Sequence, residues 1–182
     1  MTCTSKRTYL LISAVFLLPA LIVHGQAKIG YIDSQKILAT YAPAVDAEKQ
    51  LEAENKKWMD SLQKMETDFQ TRQEELEKQS LLLSEEKKKE KTQELQQLAL
   101  EAQQYQNEKW GEQGEYFKLR EQLLKPIFDQ INVAINVVGE DEGFHFIFDA
   151  VAGNLVFAKE EFDVTDKVLQ ILEKKTTSEN TQ

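Results

Sequence analysis

A stretch of about half the 182-residue chain, from Pro43 to Val138, contains few residues that break helices. Proline is tolerated in the first turn of a helix, so Pro43 suits the start of this stretch. Its apolar residues recur at intervals of three, four and seven, which is the pattern of a coiled-coil seam. The seam positions of the first half are Leu51, Trp58, Leu62, Met65, Phe69, Leu76 and Leu83. The pattern predicts one very long helix or two long helices that pack together.

The heptad pattern is reset between Leu81 and Glu86. Ser84 is a suitable N-cap, and the acidic residues Glu85 and Glu86 would follow it in the first turn, where they complement the helix dipole. These residues predict a turn that joins two antiparallel helices in an arm over residues 44–125. The alternative is one uninterrupted helix of more than about 90 residues, which would have no partner of equal length within the chain.

Two glycines, Gly111 and Gly114, interrupt the returning helix, and Pro126 follows further along. A glycine inside a helix costs roughly 1 kcal/mol relative to alanine, so two within one turn create a weak point. We interpret the glycine pair as a hinge at which the arm can bend. The alternative is a close helix crossing that requires glycine. Pro126 predicts a kink where the arm enters the rest of the protein.

The two ends of the chain predict a small base that carries the arm. The first strand is predicted over residues 28–32 and a short helix after it, capped by Asp33 or Ser34. Near the other end, residues 140–143 predict a turn, residues 144–148 and 155–158 a β-hairpin, and residues 164–172 a final helix capped by Asp163 or Thr165. We therefore predict a mainly helical α+β fold, with base segments 26–43 and 126–175 and a disordered tail 176–182.

A base of three short strands and two short helices has a very small core. Small cores are marginally stable alone, so we expect this base to associate with other copies of the chain. The residues predicted for the core or the oligomer contact are Ile29, Tyr31, Phe146, Phe148, Leu155 and Phe157.

The first 25 residues have the order of a secretory signal peptide, with Lys6 and Arg7 ahead of an apolar run that ends near Val23. Cleavage is predicted before Gln26 or before Lys28, and a membrane anchor is the alternative. The one cysteine, Cys3, would leave with this segment, and the formal net charge would fall from −9 to −11. A chain this acidic is unsuited to nucleic acid, because phosphate binding requires an excess of Lys and Arg.

The remaining sequence offers little for catalysis. His145 is the one histidine after the predicted signal peptide, so the common zinc sites and the Ser-His and Cys-His arrangements are excluded from that part of the chain. Gly111 and Gly114 lack the lysine and the strand of a phosphate-binding loop. The acidic residues 140–142 lack the ligand spacing of a calcium loop. We predict a protein that is not an enzyme and needs no metal or cofactor.

The arm carries more large apolar side chains than two thin helices can bury, some of them adjacent in sequence. Adjacent residues point about 100° apart on a helix, so both cannot lie on one narrow seam. Methionine and aromatic side chains on a flexible surface suit the binding of varied partners. The candidate binding residues are Trp58, Met59, Met65, Phe69, Trp110, Tyr116 and Phe117, and a basic cluster at the predicted turn comprises Lys87, Lys88, Lys89 and Lys91.

Four segments carry a resemblance to a known family: KIGYIDSQKIL, METDFQTRQEELEK, KPIFDQINVAINVVGEDEGFHFIFDA and DVTDKVLQIL. With the predicted signal peptide and long hairpin, they resemble the Skp/OmpH family of periplasmic chaperones. The resemblance implies a homotrimer whose arms project from a β-sheet body and hold unfolded outer-membrane proteins without ATP. The alternative is a coiled-coil structural or adaptor protein of the cell envelope. Since well-known members are basic and this chain is acidic, membrane-surface contact is expected only at the turn.

Overall fold

The computed structural model describes residues 27–153 and 155–179, and the predicted signal peptide lies outside this part. The order of elements is β1 (Ile29–Ile32), α1 (Ser34–Thr40), α2 (Ala42–Gln79), α3 (Glu85–Trp110), α4 (Glu115–Glu142), β2 (Phe146–Asp149), a 3-10 turn (Glu160–Phe162) and α5 (Thr165–Glu179). Among these described residues, no helix is both long and apolar enough to cross a bilayer. The predicted mainly helical fold with a small sheet is confirmed.

The arm is built from α2, α3 and the first part of α4. At 1.5 Å per residue, the 38 residues of α2 span about 57 Å. The turn after α2 lies where the sequence predicted it, and the Ser84 side chain caps α3 by accepting the N–H of Lys87. Tyr41, the residue before α2, hydrogen-bonds Gln130 of α4, and Asn55 of α2 hydrogen-bonds Trp110 at the end of α3.

The base contains a parallel pair of strands, β1 and β2, and no β-hairpin. Within the described residues the sheet has two strands, so the predicted strand at residues 155–158 is wrong. β1 has β2 on one edge, and the backbone of Asp163 and Val164 meets Tyr31 on the other. This contact occupies the edge of β1 with which a strand at residues 155–158 would have to pair. The Phe157 side chain is 82% exposed.

The core of the base lies where α1, the start of α2, the end of α4 and α5 meet. Local patterning explains α1. Of the two predicted N-caps, Asp33 and Ser34, the Asp33 side chain accepts the N–H of Lys36. The buried side chains come from β1, from all four helices and from the residues just before α2 and α5: Ile32, Ile37, Tyr41, Ala44, Ala47, Leu124, Ile127, Ile131, Ala134, Val138, Val164, Val168, Leu169 and Leu172.

Two helices are longer than predicted. Residues 140–142, predicted as a turn, form the end of α4, and the helix ends at Gly143 with φ of 68°. Glycine adopts this left-handed conformation without steric cost, which explains why the helix stops there rather than at Gly139. Pro126 lies inside α4, so one helix joins the arm to the base. α5 continues to Glu179, so the disordered tail predicted from residue 176 is wrong for residues 176–179.

A buried threonine joins the end of β1 to the start of α5. The Thr165 side chain is fully buried, and its Oγ1 accepts the backbone N–H of Asp33 at 2.9 Å. The same hydroxyl donates to the Asp163 carboxylate, which also accepts the N–H of Thr165 at 2.8 Å. This network links two chain segments that are far apart in sequence.

We expect Thr165→Val to lower the free energy of unfolding by about 1–3 kcal/mol. Valine has nearly the shape of threonine, but the N–H of Asp33 would lose its acceptor inside the base. Urea unfolding followed by circular dichroism at one protein concentration measures the change. The matched control is Thr71→Val at an exposed position of α2. We expect it to change the free energy of unfolding by less than about 0.5 kcal/mol. Equal effects of the two substitutions would contradict the role of Thr165.

Candidate functional site

The helix break between α3 and α4 is packed against α2 by two tryptophans. The Trp110 Nε1–H donates to the Asn55 side-chain oxygen at 2.8 Å. The rings of Trp58 and Trp110 meet edge to face, with centroids 6.4 Å apart, a favoured geometry for aromatic pairs. Trp58 is only 9% exposed. In this conformation it packs inside the arm, so its predicted contact with a client requires a rearrangement.

Lys109 completes this cluster. Its Nζ lies 2.7 Å from Glu115 and 3.3 Å from Glu108, and it sits over the rings of Trp58 and Tyr105. Its side chain is 12% exposed. The hydrogen bond to Glu115 raises the pKa of Lys109, and the same bond lowers the pKa of Glu115. Both groups therefore stay charged at neutral pH. We call the cluster the elbow, and it consists of Asn55, Trp58, Tyr105, Lys109, Trp110 and Glu115.

The predicted hinge glycines form the break itself. Gly111 ends α3 and Gly114 precedes α4, so the returning segment is two helices rather than one. A Cβ at Gly111 would lie 2.3 Å from the carbonyl oxygen of Asn107, and a Cβ at Gly114 would lie 2.6 Å from that of Lys109. The break therefore requires glycine for close backbone approach within the chain. α2 continues unbroken beside it, and bending of the arm stays a prediction.

The other predicted binding residues of the arm differ in exposure. Met59 and Phe117 are exposed, whereas Met65 and Phe69 are half-buried along the seam. Tyr116 is half-buried, and its ring meets that of Phe117 edge to face at 5.5 Å. Met59 and Phe117 are therefore the members of the set that are open to a partner without rearrangement.

The turn of the arm exposes two leucines that sequence reasoning missed. Leu81 is 96% exposed and Leu82 is 87% exposed. The signal was the three consecutive leucines after a seam whose period allows only one of them to pack. Of the predicted basic cluster, Lys87 pairs with Glu90, and Lys88 pairs with Glu85 at 2.7 Å. These pairings reduce the local positive charge that a partner would meet.

One face of the sheet in the base is apolar and uncovered. The register places Ile29 beside Phe146 and Tyr31 beside Phe148, so these side chains share one face. The rings of Phe146 and Phe148 stack with centroids 6.4 Å apart, and both are exposed. An open groove of about 600 Å³ separates β1 from the segment that carries Leu155 and Phe157. The six predicted residues thus line an open surface of the base, and none belongs to its buried core.

This architecture, a small base that carries a long helical arm, was compared with known proteins. The profile of the outer membrane protein (OmpH-like) family matches residues 28–172, from the first strand into α5. The chain belongs to the OmpH-like family. A search of curated proteins finds no match. The OmpH-like chain is also similar to a crystal structure from Caulobacter crescentus, described as a candidate OmpH-like outer membrane chaperone.

The likeness to the Caulobacter protein covers most of both molecules. It spans 82% of this OmpH-like chain and 86% of the other, with a TM-score of 0.68 and 15% sequence identity. At this identity, the comparison establishes a shared fold. The family match and the shared fold agree in assigning the chain to the OmpH-like family.

Proposed function

We propose that this chain is an ATP-independent holdase of the periplasm that keeps unfolded outer-membrane proteins from aggregating. The observation that carries the proposal is an arm of helices, some 57 Å long, that leaves Met59 and Phe117 exposed. Dispersed apolar groups on an elongated surface suit a long unfolded client better than a small ligand. Family membership supports the same class of client.

We further propose that the chain works as a homotrimer of antiparallel hairpin arms. The support is the uncovered face of Ile29, Tyr31, Phe146 and Phe148, since contiguous exposed apolar surface is typical of protein contacts. Three copies meeting through this face would bring three arms to one side and surround a shared cavity. Cyclic symmetry lets the same patch serve in every copy.

Holding in this arrangement is passive. Each arm would supply weak apolar contacts, and contacts from several arms on one client add up through their high effective concentration. Release needs no nucleotide, because a client that folds into a membrane removes its own apolar surface from the arms. The half-buried seam residues and the exposed Met59 and Phe117 would make these contacts.

We propose that the turn of the arm is the part of the chain that contacts a membrane surface. Leu81 and Leu82 are almost fully exposed there, and the four lysines of the basic cluster follow within nine residues. Exposed apolar side chains beside basic ones favour an anionic bilayer surface. The rest of this acidic chain would be repelled by such a surface.

The test is light scattering by a urea-unfolded β-barrel membrane protein diluted into buffer with increasing amounts of this protein and no nucleotide. We expect suppression of aggregation that saturates near about three chains per client, as a cyclic trimer requires. Absence of suppression by the folded protein would overturn the holdase proposal and favour an adaptor protein with a fixed partner.

The double substitution Met59→Ser and Phe117→Ser should raise the protein concentration needed for half-suppression by roughly fivefold. The two side chains are exposed, so their loss removes apolar contact with clients and leaves the fold intact. The same scattering titration measures the shift. The matched control is Leu81→Ser with Leu82→Ser at the turn, outside the proposed cavity wall. If the control shifts the titration as much as the test variant, Met59 and Phe117 are not the contact residues.

A further inference from the structure

Helix α3 packs along α2 without a fully buried residue of its own. All of its residues are described, and none of them is buried. Its apolar seam residues Leu95, Leu98 and Ala102 are half-buried against α2. Ion pairs in this region, such as Lys87 with Glu90 and Arg72 with Asp68, lie within single helices. Such pairs stabilise each helix and leave the contact between helices unchanged.

The elbow is the exception. Among the described residues, the hydrogen bond from Trp110 to Asn55 is the one side-chain hydrogen bond that joins α3 to α2. Trp110 is the last residue of α3, and its ring packs on buried Trp58. Lys109 then links this end of α3 across the break to Glu115 at the start of α4. The specific contacts of α3 with other helices are therefore concentrated at its C-terminal end.

We propose that the elbow is a latch that keeps α3 packed on α2, and that its release lets α3 separate from α2. The apolar side chains covered by α3 would then be uncovered, among them Leu62, Met65 and Phe69 on α2. The arm thus contains covered apolar surface that a client can contact only when the latch is open. Local separation of this kind occurs in the least stable part of a fold.

This inference deepens the proposed function, since it adds surface for clients to the arm. The latch itself is a contact within one chain, and it is tested without any client. A failed latch test leaves the scattering result for the wild-type protein untouched. A failed holdase test would likewise leave the latch standing as a property of the arm.

The two tryptophans of the sequence, Trp58 and Trp110, both belong to the elbow, so tryptophan fluorescence reports on the latch alone. Asn55→Leu removes the acceptor of the Trp110 N–H, and we expect acrylamide quenching of the tryptophans to rise about threefold as the indoles become accessible. Asn55→Asp keeps an acceptor oxygen and should quench like the wild type. The second test variant, Lys109→Gln, removes the ion pair with Glu115, and Lys125→Gln removes the exposed Lys125–Asp129 pair as its control.

Hydrogen exchange measured by mass spectrometry locates the effect. In Asn55→Leu and Lys109→Gln, amides of residues 85–110 should exchange roughly tenfold faster, while those of base residues 127–138 and 165–172 keep wild-type rates. Wild-type quenching and exchange in both variants would overturn the latch. Equal acceleration in the base would also overturn it, since the elbow would then support the whole fold. If Asn55→Asp behaves like Asn55→Leu, the Trp110 hydrogen bond is not part of the latch.

Discussion

Leu172→Ala is expected to lower the free energy of unfolding by about 3 kcal/mol, the typical cost of removing a fully buried leucine. The Leu172 side chain has no exposed surface and lies in the core shared by all the helices of the base. The loss combines the transfer free energy of the deleted atoms with the cavity that they leave. Because the base is small, this loss is a large share of its total stability.

Urea unfolding of the Leu172→Ala protein, followed by circular dichroism, measures this loss. Both proteins are compared at one concentration, because the proposed association of chains would contribute to apparent stability. The control is Leu82→Ala, which makes the same chemical change at a side chain that is 87% exposed. It should cost less than about 0.5 kcal/mol. A loss below about 1 kcal/mol for Leu172→Ala would mean that the base is not the main cooperative unit.

In the proposed trimer, Phe146→Glu is expected to convert the assembly to monomers without unfolding the chain. Phe146 lies exposed on the apolar face of the sheet, so a glutamate there is solvated in the single chain. In an assembly through this face, the carboxylate would be buried among apolar side chains without a partner. This cost should weaken association by at least about a thousandfold.

Light scattering after size-exclusion chromatography gives the mass of the Phe146→Glu protein, and circular dichroism checks that its helix content is retained. Leu81→Glu is the control, since it places the same charge at an exposed apolar position on the turn of the arm. We expect it to keep the wild-type mass. A wild-type monomer at micromolar concentration would refute the trimer, and a trimeric Phe146→Glu protein would move the contact to another surface.

The two variants separate assembly from folding. Leu172→Ala should lower the stability of the single chain, and any loss of mass would follow from unfolding. Phe146→Glu should lower the mass at unchanged helix content. If holding clients requires three arms around one cavity, Phe146→Glu should also abolish suppression of aggregation, because one arm lacks the effective concentration that three provide.

The sequence alone determined the features that depend on neighbours along the chain. The heptad seam predicted the long helices, and Ser84 predicted the start of α3, because helix periodicity and capping involve residues within about four positions of each other. Asp33 predicted the start of α1 for the same reason. The β-favouring residues of the first segment also predicted the strand β1.

The tertiary structure decided what depends on distant residues. Residues 155–158 have the composition of a strand, but the edge of β1 is met by Asp163 and Val164. The sequence placed Trp58 both on the heptad seam and among the candidate binding residues, and the structure buries it against Trp110, which is 52 positions away. The sequence did not predict a role for Lys109, because its neighbours in the elbow come from three helices. Strand pairing and burial are set by contacts between segments far apart in the chain, which local patterns do not encode.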